Sequence, residues 1–203
     1  NDAPIVVSDH SQLQDWRPHN ANRTFNGPMR LKQALIRSRN LVSIRILNDI
    51  GLDYAIEFLT KFGFKTQTLP KSLSLALGSV SISPMELNTA YSIIANGGYA
   101  VKPYIIERIE DENEEILLQA HPNVSNNTLY QNKASLPRAT QVLPEDTHYL
   151  IHTSLKDVVK HGTARGANAL NRQDIAGKTG TTNDQVDTWF AGYNASIATT
   201  VWI

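Results

Sequence analysis

From Asp174 to Tyr193 the chain reads D-I-A-G-K-T-G-T-T-N-D-Q-V-D-T-W-F-A-G-Y, and this stretch restricts the fold more than any other. Ile175 to Thr182 is predicted to be a short strand in which Gly177 and Gly180 lie on either side of Lys178 and Thr179. A glycine inside a strand marks a place where a ligand or another backbone comes close. Side chains alternate across the pleat, so Lys178 and Gly180 point to one face and Thr179 and Thr181 to the other. Asn183-Asp184 supplies a turn, and Val186 to Tyr193 makes a second strand. One ammonium and the hydroxyls of Thr179, Thr181 and Thr182 beside bare backbone suit an extended peptide with an anionic end.

The upstream half reads as helices. Pro28 at a first helical position opens a helix to about Arg37, and Ser38-Arg39-Asn40 interrupts it. Leu41, Ile44, Leu47 and Ile50 then recur at helical spacing. Gly51 ends that helix, and Gly63 ends the next, predicted over 53–62. Ser38 and Asn40 therefore sit at a joint, where they serve either as caps or as site residues. Ser72 to Ile82 alternates Ser and Leu and is expected to be extended or looped. Ser83-Pro84-Met85-Glu86 is a capping box with proline at the first helical position, and Leu87, Ala90, Tyr91 and Ile94 form the buried stripe behind it. Tyr104 to Ile109 and Ile116 to Leu118, joined by an acidic turn, predict a hairpin. Residues 121–143, with Asn126-Asn127, read as loop, and Pro144 opens a helix to about His161. Residues 1–27 read mostly as loop, with a short strand at Ile5-Val6-Val7 at most, and the first ten fit a disordered flank equally well.

K-T-G alone is a weak signal, but here it follows an S-x-N triplet, Ser38-Arg39-Asn40, in the order of a known acyl-transfer motif set. K-T-G-T-T-N with D-T-W-F-A-G-Y resembles the transpeptidase domain of class A, bifunctional penicillin-binding proteins, above all the 1A type of Gram-negative bacteria. The likeness extends through N-G-P-M-R-L-K-Q-A-L-I-R-S-R-N, S-L-A-L-G-S-V-S-I-S-P-M-E-L and Y-S-I-I-A-N-G-G-Y-A-V-K-P, which together cover most of the chain. It implies an α+β, penicillin-recognising fold: an antiparallel sheet flanked by helices, incomplete at both ends here, with residues 1–203 as a partial transpeptidase domain.

The resemblance also implies a chemistry. A serine attacks the carbonyl between the last two D-alanines of a peptidoglycan stem peptide, and an amine on a neighbouring stem takes the acyl group. β-Lactams acylate the same serine. On this reading Ser38, Lys178 and Thr181 are catalytic: Ser38 passes a proton between lysines and departing amine, and the Thr181 N–H is half of an oxyanion hole. Asn40, Thr179, Gly180, Thr181 and Thr182 hold the substrate. No serine in the chain has lysine three positions on, so the nucleophile motif S-x-x-K is missing; Ser154-Leu155-Lys156 places its lysine one position early. The chain opens on Asn1 and stops at Val201-Trp202-Ile203 within an apparent strand. The expectation is a segment of a longer protein whose nucleophile lies upstream, together with a membrane anchor and a glycosyltransferase domain. The site would face the periplasm, with other cell-wall synthesis proteins as partners, and the segment alone should be inactive. Two alternatives keep the same fold: a non-catalytic peptidoglycan- or protein-binding module, and a serine β-lactamase.

Composition narrows the rest. Nineteen basic residues balance nineteen acidic ones, so net charge implies no nucleic-acid partner. The absence of cysteine excludes disulfides and thiolate-held metal. No apolar run approaches the roughly eighteen residues of a membrane span. His148 and His152 are four apart, with His161 beyond, but no carboxylate or cysteine has a spacing that completes a metal site, and no cofactor is implied. Trp189, Phe190 and Trp202 read as core of the sheet.

Overall fold

The computed structural model describes residues 1–8, 15–125, 137–182 and 186–203. Its first helix, α1 (Leu31–Ile36), begins three residues later than Pro28 predicts. The reason lies in Gly27, whose backbone N–H and carbonyl both bond to Asp2 at 3.0 and 2.8 Å. The chain leaves that bridge extended, and Arg30 still has β geometry. Helix α2 (Asn40–Ile50) buries Leu41, Val42, Ile44 and Leu47, while Ile50, predicted on the same stripe, stays 49% exposed. Gly51 turns the chain at φ +87°, a left-handed value that glycine adopts at little cost, into α3 (Leu52–Thr60).

The Ser/Leu segment is neither extended nor irregular in its first half: Leu73–Leu77 is a 3-10 helix closed by Gly78 in the left-handed region. Hydroxyl contacts Ser72–Ser74 and Ser79–Ser74, both 2.6 Å, tie its ends together. The capping box forms as predicted at α4 (Pro84–Ala95): Ser83 Oγ accepts from the Glu86 N–H, and Glu86 accepts from the Ser83 N–H. Ile93, outside the predicted stripe, is the most buried residue of α4, together with Ala90. The hairpin pairs β1 (Arg108–Glu110) with β2 (Ile116–Gln119). Asp111 Oδ1 accepts the N–H groups of Asn113 and Glu115 across its turn, which holds the Asp111 carboxyl below the usual range. Isolated bridges Val124–Arg138 and Tyr99–Gln141 cross the predicted loop; Asn126-Asn127 lies outside the described residues.

Helix α5 (Glu145–His161) follows Pro144 by one residue and leads through a 3-10 turn, Arg165–Leu170, to the main sheet. That sheet is antiparallel in the order β3 (Ala176–Thr181), β4 (Thr188–Tyr193), β5 (Ala198–Trp202). The Asn183-Asp184 turn also lies outside the described residues. Gly177 stands opposite Gly192, Lys178 opposite Ala191 and Gly180 opposite Trp189. Helix α5 contributes to two apolar clusters: Val158 and Val159 meet Ile36, Ala164 and Phe190, whereas Leu155 meets Ala176, Tyr193 and Tyr91. This joins the α1 joint to the sheet.

Residues 1–8 and 15–27 form the isolated bridges Asp2–Gly27 and Val7–Trp16. Asp2 is fully buried. Trp202 corrects the core reading of the aromatics. It is 56% exposed and stacks on Trp189 with centroids 5.6 Å apart, while Phe190 alone turns into the core.

Candidate active site

Lys178 and Ser38 are 140 residues apart in sequence, and the fold brings them into contact: Lys178 Nζ donates to Ser38 Oγ at 3.0 Å. The lysine also donates to its neighbour's carbonyl, Thr179 O, at 2.8 Å. It has no carboxylate partner among the described residues, and burial pushes its pKa below the ordinary lysine value. A partly dehydrated ammonium on a serine hydroxyl can exchange a proton with it.

Lys178 also lines an open groove of about 1120 Å³. Lys178 to Thr182 and Asn40 contribute its polar lining. Leu59, Phe64, Leu69 and Leu87 make apolar walls, and the stacked Trp189 and Trp202 line it too. Strand β3 pairs only with β4 among the described residues, so its other edge is open to an added strand. A smaller hollow of about 420 Å³ beside Lys32, Lys156 and Arg172 holds none of these residues. Lys32 and Arg172 there already pair with Asp157 and Asp174.

The two strand glycines have different physical reasons. A Cβ on Gly177 would lie 2.8 Å from Ala191 O and from the Phe190 ring, so the chain's own packing demands glycine. A Cβ on Gly180 would meet only Trp189 Cβ, at an ordinary 3.4 Å. None of the described residues requires glycine there, and Gly180 lines the groove.

Of the remaining predicted residues, Thr179 donates its hydroxyl to Thr163 Oγ1 at 2.8 Å. Thr181 is exposed at the end of β3. Thr182 is engaged by the hairpin: its hydroxyl accepts the Asp187 N–H at 2.8 Å. Asn40 donates through Nδ2 to His19 O at 3.0 Å, which leaves its second Nδ2 hydrogen and Oδ1 for a ligand. His148 and His152 take separate partners, Ile94 O at 2.9 Å and the Tyr193 hydroxyl at 3.0 Å.

Sequence reasoning missed Arg39, Asp2 and Asn20. Arg39, between Ser38 and Asn40, is buried, with Nε 3.1 Å from Asp2 Oδ2. That contact is close enough for an ion pair but off the line of a good hydrogen bond. Arg39 Nη1 donates to Asn22 Oδ1 at 2.8 Å, and Asn20, also buried, donates to Asp2 Oδ1 at 2.7 Å. The signal was present, since four asparagines and three aspartates fall in residues 1–27, but nothing local says which of them meets Arg39.

Comparisons with known proteins identify the family. Residues 1–203 match the family described as penicillin binding protein transpeptidase domain. The chain is 41% identical to penicillin-binding protein 1A of Pseudomonas aeruginosa, over the whole chain and 29% of that protein. It is 44% identical to penicillin-binding protein 1A of Neisseria lactamica, over the whole chain and 24% of that protein. The crystal structure of penicillin-binding protein 1A from Haemophilus influenzae superposes with a TM-score of 0.87 at 32% identity, covering 99% of this chain and 33% of that one. The chain thus belongs to the penicillin-binding protein transpeptidase family. It spans between a quarter and a third of the length of these relatives.

Proposed function

We propose that these residues form one side of the active site of a peptidoglycan D,D-transpeptidase that works through an acyl-serine intermediate. The observation that carries the reading is the Lys178–Ser38 hydrogen bond at the open edge of β3. A stem peptide ending in D-Ala-D-Ala adds antiparallel to β3, over the bare backbone at Gly180. Lys178, Thr179 and Thr181 bind its terminal carboxylate, with Thr179 releasing Thr163, and Asn40 binds a backbone amide upstream. Thr182 holds the end of the strand in place through Asp187. When the acyl bond breaks, Ser38 hands a proton to the departing D-alanine amine, and the lowered pKa of Lys178 makes that relay easier to run. The Thr181 N–H faces the developing oxyanion, where losing one donor typically costs about 3 kcal/mol of barrier.

The nucleophile is supplied by an S-x-x-K segment outside these residues. A groove this large and this apolar suits such a segment beside the substrate. β-Lactams enter as mimics of the D-Ala-D-Ala end; the PonA1 protein of Mycobacterium tuberculosis, solved with penicillin V, shares the fold at 20% identity and a TM-score of 0.74. A glycosyltransferase domain, a membrane anchor, a periplasmic location and partners in cell-wall synthesis follow from the same reading.

Intact-mass spectrometry after incubation with benzylpenicillin tests it. The full-length protein should gain one penicilloyl group and release it slowly, while the 203 residues alone gain none. Rapid release would make it a β-lactamase, and no adduct on the full-length protein would make it a binding module.

A further inference from the structure

Ser38 has φ +51°, a left-handed value rare for a residue with a side chain. Such strain persists only where the surroundings over-determine it. Part of the hold is local: the Ser38 and Arg39 N–H groups donate to Leu35 O and Ala34 O at 3.0 and 2.9 Å. The rest comes from the opening segment of the chain. Arg39 reaches Asp2, Asn22 and, at 3.5 Å, Thr24 Oγ1. Asp2 in turn accepts from Asn20 Nδ2 and from the Asn26 N–H at 3.0 Å. Asn20 Oδ1 accepts the Leu41 N–H at 3.4 Å, and His19 O accepts from Asn40. Three consecutive residues, Arg39 to Leu41, are therefore all held by residues 2–24.

We infer that the buried Asp2–Arg39 pair is a positioning device for the site: it fixes the joint so that Ser38 points at Lys178 and Asn40 at the groove. The alternation of exposure across the triplet is the physical basis. Ser38 is exposed, Arg39 buried and Asn40 half-buried, so anchoring the middle side chain inward sets the other two outward. Neither Asp2 nor Arg39 touches the reacting atoms. The inference rests on the reading of Ser38 and Asn40 given above.

The test compares full-length wild type with Arg39→Met and, as a milder change that keeps volume, Asp2→Asn. Acylation by a fluorescent penicillin is followed across a concentration series and from pH 6 to 10, well below each variant's unfolding temperature. Misplacing a group by about 1 Å can cost up to about a hundredfold in rate. The expected result is a limiting acylation rate reduced about tenfold or more in Arg39→Met and less in Asp2→Asn, with a changed pH profile. Folded variants that acylate within about twofold of wild type at every pH would overturn the inference. If Arg39→Met does not fold, Asp2→Asn decides by the same criterion. If wild type itself is not acylated, the transpeptidase reading fails, and NMR of the Lys178 ammonium and the Asn40 side-chain amide decides this one. Both signals should shift in Asp2→Asn, and unmoved signals would overturn it.

Discussion

Arg39 and Lys178 are cations on opposite walls of the candidate site, and their surroundings differ in kind. Arg39 is buried against a carboxylate, Asp2, which itself has no exposure and accepts two further hydrogen bonds. Lys178 is partly buried, and among the described residues its hydrogen-bond partners are a hydroxyl and a carbonyl. A buried charge with a well-bonded counter-ion is fixed in place, whereas one without keeps a lowered pKa and stays available for proton exchange. The wall that is anchored and the wall proposed to react thus differ in whether a carboxylate pairs with the cation among the described residues. The two walls are also stiffened differently. The K-T-G wall relies on sheet pairing, with the Phe190 ring lying across Gly177 and Gly192. The S-R-N wall relies on side chains.

The largest expected effect comes from breaking the fixed pair. Arg39→Met leaves the Asp2 carboxylate buried without its cation and should cost about 3 kcal/mol, measured by urea denaturation. A loss under about 1 kcal/mol would mean that the pair does not anchor the joint.

On the other wall, Gly177→Ala forces a methyl against Ala191 O and the Phe190 ring and should cost about 2 kcal/mol. Gly180→Ala is its control. With only Trp189 Cβ nearby, it should leave stability within about 0.5 kcal/mol while lowering the acylation rate of the full-length protein. Equal destabilisation by the two would remove the distinction between a packing glycine and a ligand-facing one.

Away from both walls, Ser83→Ala removes the cap of α4 and should cost about 1 kcal/mol, with acylation unchanged at temperatures where the variant is folded.

The smallest effect is the most direct test of the Lys178 ammonium. Because the pKa of Lys178 is lower folded than unfolded, the unfolded chain binds more protons between the two values. Stability should therefore rise with pH across that window, up to the ordinary lysine value near 10.5, and fall as pH drops through the folded value. Lys178→Met should flatten this part of the curve. His152 has the same sign lower down: burial lowers its pKa first, with His148 and Lys156 adding to it, so stability falls as pH drops below about 6.5.

What could be read without coordinates was what is local. The glycine-flanked strand, its partner strand, the capping box and the acidic hairpin turn all appear where the sequence places them, give or take the end residues. Their determinants lie within a few residues of one another, so periodicity and turn chemistry suffice. Ends moved where a distant partner competed, as when Asp2 captured Gly27 and delayed α1.

The tertiary structure decided which side chains meet. An exposed serine in a left-handed turn, a tryptophan in a strand and an aspartate near the start of the chain have no assigned partner in one dimension. Folding put Lys178 on Ser38, stacked Trp202 on Trp189 at the groove instead of in the core, and made Asp2 the counter-ion of Arg39. The motif letters set the available chemistry. The long-range packing of α1 and α5 against the sheet, together with the folding back of residues 2–24 onto the joint, set the geometry, because a contact across more than a hundred residues leaves no periodic trace in the chain.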